Sequence, residues 1–199
     1  MKQMLKSMTL CVVMLLSAIA TMAQGDASAI STKELYSTDF STWGAYETTA
    51  NEKQVTTATW KTKYSHETIT FSVFNTQIGA TNFNTSKFPD WTGGMLMAAK
   101  SETPYIETSA LASITKVHFR HGATGSNRGW KLLAKGDGDA DWVVVSSSVA
   151  NPAGGCDVDV DVNKTNCQLR FENITTNQNA YLLELAIYGL VDLSKTPAL

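Results

Sequence analysis

The sequence predicts an all-β fold, an antiparallel β-sandwich, and three observations support this. The chain after its first residues is rich in Thr, Ser, Asn, Val and aromatic residues, which favour strands over helices. It is poor in Glu, Lys and Leu runs of the kind that form helices. About nine short runs of alternating apolar residues are separated by Gly, Asn, Asp and Ser, a spacing typical of sandwiches and barrels.

The individual runs follow the period-2 pattern of a half-buried strand. Thr68–Phe74 alternates through Ile69, Phe71 and Val73, and Ile114–Arg120 alternates in the same way. Further on, Gly129–Lys135 and Asp141–Ser147 flank the sequence Gly-Asp-Gly-Asp, which is a hairpin turn by composition. The run Ala180–Gly189 is apolar almost throughout, which predicts a last strand buried on both faces or nearly so.

A second hairpin is predicted within Cys156–Glu172. Val158, Val160 and Val162 alternate with aspartates before Asn163-Lys-Thr-Asn166, and Cys167, Leu169 and Phe171 alternate with polar residues after it. If Lys164 and Thr165 form a two-residue turn, all six apolar residues point to one side and Asp159 faces Arg170.

The beginning of the chain predicts export to the periplasm or the medium. Lys2 and Lys6 precede an apolar run over Thr9–Ile19, and small residues precede a cleavage site after Ala23. The expected divisions are a signal peptide at residues 1–23, a flexible lead at 24–33, the β-sandwich domain at 34–191 and a linker-like tail at 192–199.

Composition and motifs argue against several functions. The formal net charge of −2 provides no basic field for nucleic acid, and no second apolar stretch reaches membrane-spanning length. The sequence has three histidines and lacks a Gly-x-Ser-x-Gly elbow, a His-Glu-x-x-His helix and a glycine-rich phosphate loop. We therefore expect no enzyme activity, no cofactor, no nucleic acid partner and no membrane partner after signal cleavage.

Asp137, Asp139 and Asp141 have the alternate-carboxylate spacing of the first half of a calcium loop. Trp142 stands where such a loop has glycine and Ser148 where it has an acid. A hairpin turn with solvated acids is the favoured interpretation, and a Ca²⁺ site is the alternative. Cys156 and Cys167 fall at well-separated rungs of the predicted hairpin, which predicts buried free thiols, with a different register as the alternative.

The chain also carries residues suited to binding a sugar, because an aromatic ring stacks on sugar C–H groups while polar side chains meet the hydroxyls. Trp91 is the candidate platform, with core packing as its alternative. Asn127 and Arg128, beside His121, are candidate donors, and Arg128 has the fork geometry for a uronate carboxylate. Trp60, Trp130 and Trp142 lie in strand patterns and are predicted to be core.

The stretches Tyr36–Trp43, Ile114–Ser147 and Ala180–Gly189 resemble the N-terminal β-sandwich module of secreted bacterial pectate lyases and related polysaccharide-degrading proteins. That module is similar to galactose-binding-like jelly rolls. The resemblance implies an accessory carbohydrate-binding module for pectin-type plant cell-wall polysaccharide, with a catalytic lyase domain as a further partner. The alternative is a structural or spacer module, detached from a lyase, with no ligand of its own.

Overall fold

The computed structural model describes residues 30–43, 56–64, 67–74, 76–78, 95–97, 104–123, 125–149, 155–175 and 179–195. The chain divides into two compact units, residues 1–31 with 191–199 and Thr32–Leu190, and the second unit holds the sandwich. Within the described residues, no helix has the length and apolar character needed to cross a membrane.

The described residues form eleven strands and one short 3₁₀ turn at Leu193–Lys195. The strands, in chain order, are β1 Ile30–Thr38, β2 Thr56–Lys61, β3 Thr68–Phe74, β4 Thr76–Ile78, β5 Met95–Met97, β6 Tyr105–Thr108, β7 Leu111–Ala123, β8 Gly129–Lys135, β9 Val143–Val149, β10 Cys156–Asn173 and β11 Ala180–Asp192.

These strands make two antiparallel sheets that share β10. Sheet A consists of the first part of β10, then β7, β11, β5 and β4, with β1 also on β11. Sheet B has the order β2-β3-β6-β10-β8-β9 and uses the second part of β10. Successive strands repeatedly pass from one sheet to the other, as in jelly rolls, and the predicted all-β sandwich is confirmed.

The second predicted hairpin is wrong, because Cys156–Asn173 is one continuous strand. The first part pairs with β7, so that Val160 lies opposite Val117, and the second part pairs with β6 and β8. Asn163 and Asn166 have φ of 51° and 44°, and the register with β7 shifts between Asp161 and Lys164. Asparagine tolerates this left-handed conformation, so the segment that resembles a turn is a bulged bend that lets one strand change sheets.

The first predicted hairpin is confirmed. Strands β8 and β9 pair antiparallel from Gly129 opposite Val149 to Ala134 opposite Val143. Gly138 sits in the connecting turn with φ of 84°, a conformation that few other residues adopt without strain.

The inner faces of the two sheets pack on each other through aromatic rings. Phe119 of sheet A meets Phe171 of sheet B with ring centroids 5.3 Å apart, and Tyr36 meets Phe71 at 5.2 Å. All four side chains are buried. Burial of such large rings supplies much of the stability of a core, and it fixes which residues of each strand face outward.

The expected signal peptide lies outside the described residues, as does most of the flexible lead. Strand β1 already begins at Ile30, inside the segment expected to be a lead. In the segment expected to be a tail, Leu193–Lys195 forms the 3₁₀ turn.

Candidate functional site

The outer face of sheet A carries a regular array of charged and polar side chains. Strands β10, β7 and β11 lie side by side, and each rung holds an acid from β10, a basic residue from β7 and a residue of β11. The three rungs are Asp157–Arg120–Glu184, Asp159–His118–Ala186 and Asp161–Lys116–Tyr188. Because Ala186 is small, the middle rung is lower than its neighbours.

A cleft of about 530 Å³ opens over Ala186. It lies between β11, β7 and the end of β1 with the turn that follows, and its size is within the range of small-ligand sites. Its lining is mainly polar: the carboxylates of Glu34, Asp39 and Glu184, the hydroxyl-bearing Ser37, Thr38, Thr42 and Tyr188, and His118. Such a set accepts and donates hydrogen bonds around a polar ligand. Tyr36 also borders the cleft, but its side chain is buried and its hydroxyl accepts a hydrogen bond from Trp43.

The turn after β1 fixes one rim of the cleft. Asp39 Oδ1 accepts hydrogen bonds from the Ser41 amide at 3.0 Å and the Ser41 hydroxyl at 2.6 Å. These bonds lower the pKa of the Asp39 carboxyl. Phe40, between Asp39 and Ser41, has φ of 64°, a conformation that is costly for a bulky residue. Its buried ring packs edge-on against the ring of Trp43, with the centroids 5.0 Å apart. The buried ring holds the strained turn, and with it Asp39, in place.

An ion pair and a hydrogen bond hold Glu34, another lining residue of the cleft. Lys63 Nζ contacts Glu34 Oε1, and Tyr188 donates its hydroxyl to Glu34 Oε2 at 3.4 Å. The hydrogen bond from Lys63 is the main cause that lowers the pKa of Glu34. Lys116 Nζ, 5.9 Å from the Tyr188 ring centroid, also reaches Asp159 at 2.6 Å. The hydrogen bond with Lys116 lowers the pKa of Asp159, so both acids are ionised at neutral pH.

Those residues predicted for sugar binding that the structure describes lie outside the cleft. Trp91 is outside the described residues, and its role stays a prediction. Asn127 and Arg128 lie in the loop between β7 and β8, where the Asn127 carbonyl accepts a hydrogen bond from the Thr175 hydroxyl at 2.5 Å. Asn127 is exposed and Arg128 is half-buried over Gly125. Neither lines the cleft.

His121 differs from this loop pair because it is fully buried. Its Nε2 lies 2.8 Å from the Ser148 hydroxyl, and its Nδ1 has no hydrogen-bond partner among the described residues. Burial lowers the pKa of His121 to about 4, against an opposing effect of Asp157. The ring is therefore neutral at pH 7 and is not offered to a ligand at the surface. Its place on β7, with the parity of Phe119, is the sequence signal for this burial.

The outer face of sheet B has a different character. Arg170 lies with its guanidinium carbon 4.1 Å from the Tyr105 ring centroid and 5.6 Å from that of Trp142. Glu107 and Glu172 approach Arg170 at 3.4 and 3.5 Å.

The tryptophans predicted to be core have different outcomes. Trp130 is buried, as predicted, but Trp142 is only half-buried, so its assignment to the core is wrong. The strand pattern misassigned it because Trp142 immediately precedes β9 and packs against a cation rather than in the core. The side chain of Trp60 lies outside the described part of the chain, and its assignment stays a prediction.

Two of the three aspartates of the candidate calcium loop, Asp137 and Asp139, contact the bend of β10, and Asp141 accepts a hydrogen bond from the Trp142 amide at 2.8 Å. Lys164 Nζ lies 2.8 Å from Asp139 Oδ2, and the hydrogen bond from Lys164 is the main cause that lowers the pKa of Asp139. Asp137 accepts hydrogen bonds from the Thr165 hydroxyl at 3.0 Å and the Asn166 amide at 3.2 Å. Among the described residues, no three His, Cys, Asp or Glu side chains are grouped to hold a metal ion.

Cys156 and Cys167 are both free thiols. They are spaced along a single strand rather than across a hairpin. Cys167 is buried, and burial raises the pKa of its thiol to about 11. Cys156 is half-buried, with its Sγ 3.9 Å from the Ser148 hydroxyl.

The chain matches no family model and no curated protein. Among solved structures, the family 29 carbohydrate-binding module CBM29_1 from Piromyces equi aligns over 82% of this chain and 91% of its own, at 9% identity and a TM-score of 0.45. A family 61 carbohydrate-binding module in complex with β-1,4-galactotriose covers 62% and 88%, at 10% identity and a TM-score of 0.40. The K2 cleaved adhesin domain of Lys-gingipain covers 80% and 99%, at 11% identity and a TM-score of 0.43. At these values the similarity assigns no function.

Proposed function

We propose that this protein is an exported, non-catalytic carbohydrate-binding module and that the cleft on sheet A is its glycan site. The lining of the cleft carries the proposal. Sugars present many hydroxyls in close array, and the cleft presents carboxylates and hydroxyls that accept and donate hydrogen bonds at short spacing. The phenol ring of Tyr188, beside the small Ala186, offers an apolar surface for sugar C–H groups.

The wider setting is part of the same proposal. The N-terminal signal sequence supports a secreted or periplasmic location. The resemblance to modules of pectate lyases supports pectin-type plant cell-wall polysaccharide as the target and a catalytic lyase domain as a partner.

The proposal is tested by affinity gel electrophoresis of protein expressed from the full chain. The gels contain β-1,4-galactan, xylan or methyl-esterified pectin. We expect retardation by at least one of these polymers. Ala186→Trp fills the floor of the cleft and should weaken binding by at least about tenfold, since the ligand loses most of its contact surface.

The matched control is Val144→Trp, which adds the same side chain at a residue that is 53% exposed on β9, away from the cleft. This variant should bind like the parent chain. Absence of retardation on every polymer would favour the spacer module, and equal loss in both variants would move the glycan site away from the cleft.

A further inference from the structure

Plant polysaccharides include neutral chains and uronate chains, and the charge of the cleft affects the two classes differently. Three carboxylates line it, from Glu34, Asp39 and Glu184, and no lysine or arginine is among the described lining residues. Hydrogen bonds within the protein lower the pKa of Glu34 and Asp39, so these two groups are ionised at neutral pH.

Three cations near the cleft have acidic partners within the protein. Lys63 contacts Glu34, Lys116 lies 2.6 Å from Asp159, and Arg120 lies 3.8 Å from Glu184. Arg120 is the one of these three with the fork geometry for a bidentate carboxylate pair, and it already has Glu184 beside it. Arg128, which the sequence predicted as a uronate partner, lies in the loop between β7 and β8 and does not line the cleft.

The neighbouring strand β10 adds further negative charge to this face of sheet A. Asp157, Asp159 and Asp161 project from β10 along the edge of this face, and Asp157 lies 3.8 Å from His118 Nε2. A polymer lying across the cleft would pass over or beside these carboxylates. A uronate chain would bring like charges together, whereas the hydroxyls of a neutral sugar donate hydrogen bonds to carboxylates without that repulsion.

We infer that the cleft binds an uncharged stretch of polysaccharide and discriminates against uronate chains. The inference rests on the proposed function and narrows it. Within pectin-type material, the ligand is then a neutral side chain or an esterified backbone, and the de-esterified backbone is excluded by its charge.

The test compares polymers that differ in charge, using the full chain in low-salt buffer at pH 7.5. The probes are neutral β-1,4-galactan and one homogalacturonan preparation in fully methyl-esterified and de-esterified forms. The de-esterified form should bind at least about tenfold more weakly than whichever uncharged polymer binds more tightly. Added salt should reduce this difference in affinity, because salt screens the repulsion.

The double variant Asp39→Asn/Glu184→Gln removes two charges but keeps similar shapes, and the amide side chain introduced at position 39 retains an oxygen that can accept from Ser41. The double variant should bind the de-esterified polymer more tightly than the parent chain does, which reduces the difference in affinity between the charged and uncharged polymers. Asp141→Asn, at an exposed residue just before β9 that does not line the cleft, should leave this difference unchanged.

The outcomes separate the two claims. De-esterified homogalacturonan binding as tightly as both uncharged polymers, or more tightly, would overturn the inference and leave the proposed function standing. Retardation by none of the three polymers, together with none by xylan, would overturn the proposed function and the inference with it.

Discussion

The outer faces of the two sheets follow the same alternation of residues but leave different surfaces. On sheet A the middle rung ends in Ala186, and the space above this small residue is the cleft. On sheet B the corresponding space is occupied by Arg170, which covers Tyr105 and packs against Trp142. A sheet face becomes available to a ligand where a small side chain stands between larger ones, and it is closed where a long side chain packs across its neighbours.

The two faces also differ in how their charges are used. On sheet B the carboxylates of Glu107 and Glu172 lie beside Arg170, and Glu172 also pairs with Lys131, so two cations face two carboxylates. On sheet A, the Asp39 carboxylate accepts its hydrogen bonds from Ser41, a neutral residue. The acids of sheet B therefore take part in packing around cations, whereas the Asp39 carboxylate beside the cleft is held by neutral donors.

Both faces depend on the folded sandwich beneath them, and protonation of His121 lowers the stability of that sandwich in acid. Its pKa is about 4 in the folded chain, below the ordinary value of 6.5, so the unfolded chain binds more protons between these pH values. The contribution of His121 to the free energy of unfolding should be fully present above pH 6.5. It should fall by about 3 kcal/mol as the pH drops from 6.5 to 4. Urea denaturation of the parent chain and His121→Gln at several pH values measures this loss.

The difference between the two chains isolates His121 from the carboxylates, which titrate in both. The free energy of unfolding should fall more steeply with acid in the parent chain than in His121→Gln. Parallel curves for the two chains between pH 6.5 and 4 would contradict the buried neutral ring, and binding at the two faces should be compared above pH 6.5.

A substitution on sheet B should affect stability and leave binding unchanged. Arg170→Met removes a cation that lies over one aromatic ring, beside another, and between two carboxylates. The expected loss in the free energy of unfolding is about 1–2 kcal/mol, since a half-buried cation–π contact contributes more than an exposed ion pair. Chemical denaturation at pH 7.5 and affinity electrophoresis are the two measurements.

Lys131→Met is the matched control on the same face. Lys131 lies 3.3 Å from Glu172 in an ion pair at the surface, so its loss should cost about 0.5 kcal/mol or less. Equal costs for the two variants would show that the stacking around Arg170 contributes little. A loss of glycan binding in Arg170→Met would place the ligand on sheet B.

Most of the strands and the hairpin of β8 and β9 could be predicted from the sequence, whereas the hairpin predicted within Cys156–Glu172 is one continuous strand. Gly136–Asp139 signals a turn, and the strands on either side do pair. Asn163–Asn166 gives an equally strong local signal because asparagine adopts positive φ both in turns and in bulged bends. Only the pairing partner distinguishes the two, and the part of β7 that pairs with this bend lies about fifty residues earlier in the chain.

The candidate site was not predictable in the same way. The alternation of Ile114–Arg120 indicates that His118 points outward, and the structure agrees. The cleft, however, joins the end of β1 to β7 and β11, and its floor is an alanine, a residue that carries no chemical signal. Tryptophans draw attention in a sequence, yet Trp43 and Trp130 are buried in the core.

A map of the bound ligand on the two faces distinguishes a glycan site in the cleft from one on sheet B. Uniformly ¹⁵N-labelled full chain is titrated at pH 7.5 with oligosaccharides of whichever neutral polymer retards it, and amide shifts are followed by NMR. We expect saturable shifts at His118, Glu184 and Ala186 and none at Lys131 or Arg170. Shifts confined to sheet B or to the loop that carries Arg128 would contradict a glycan site in the cleft.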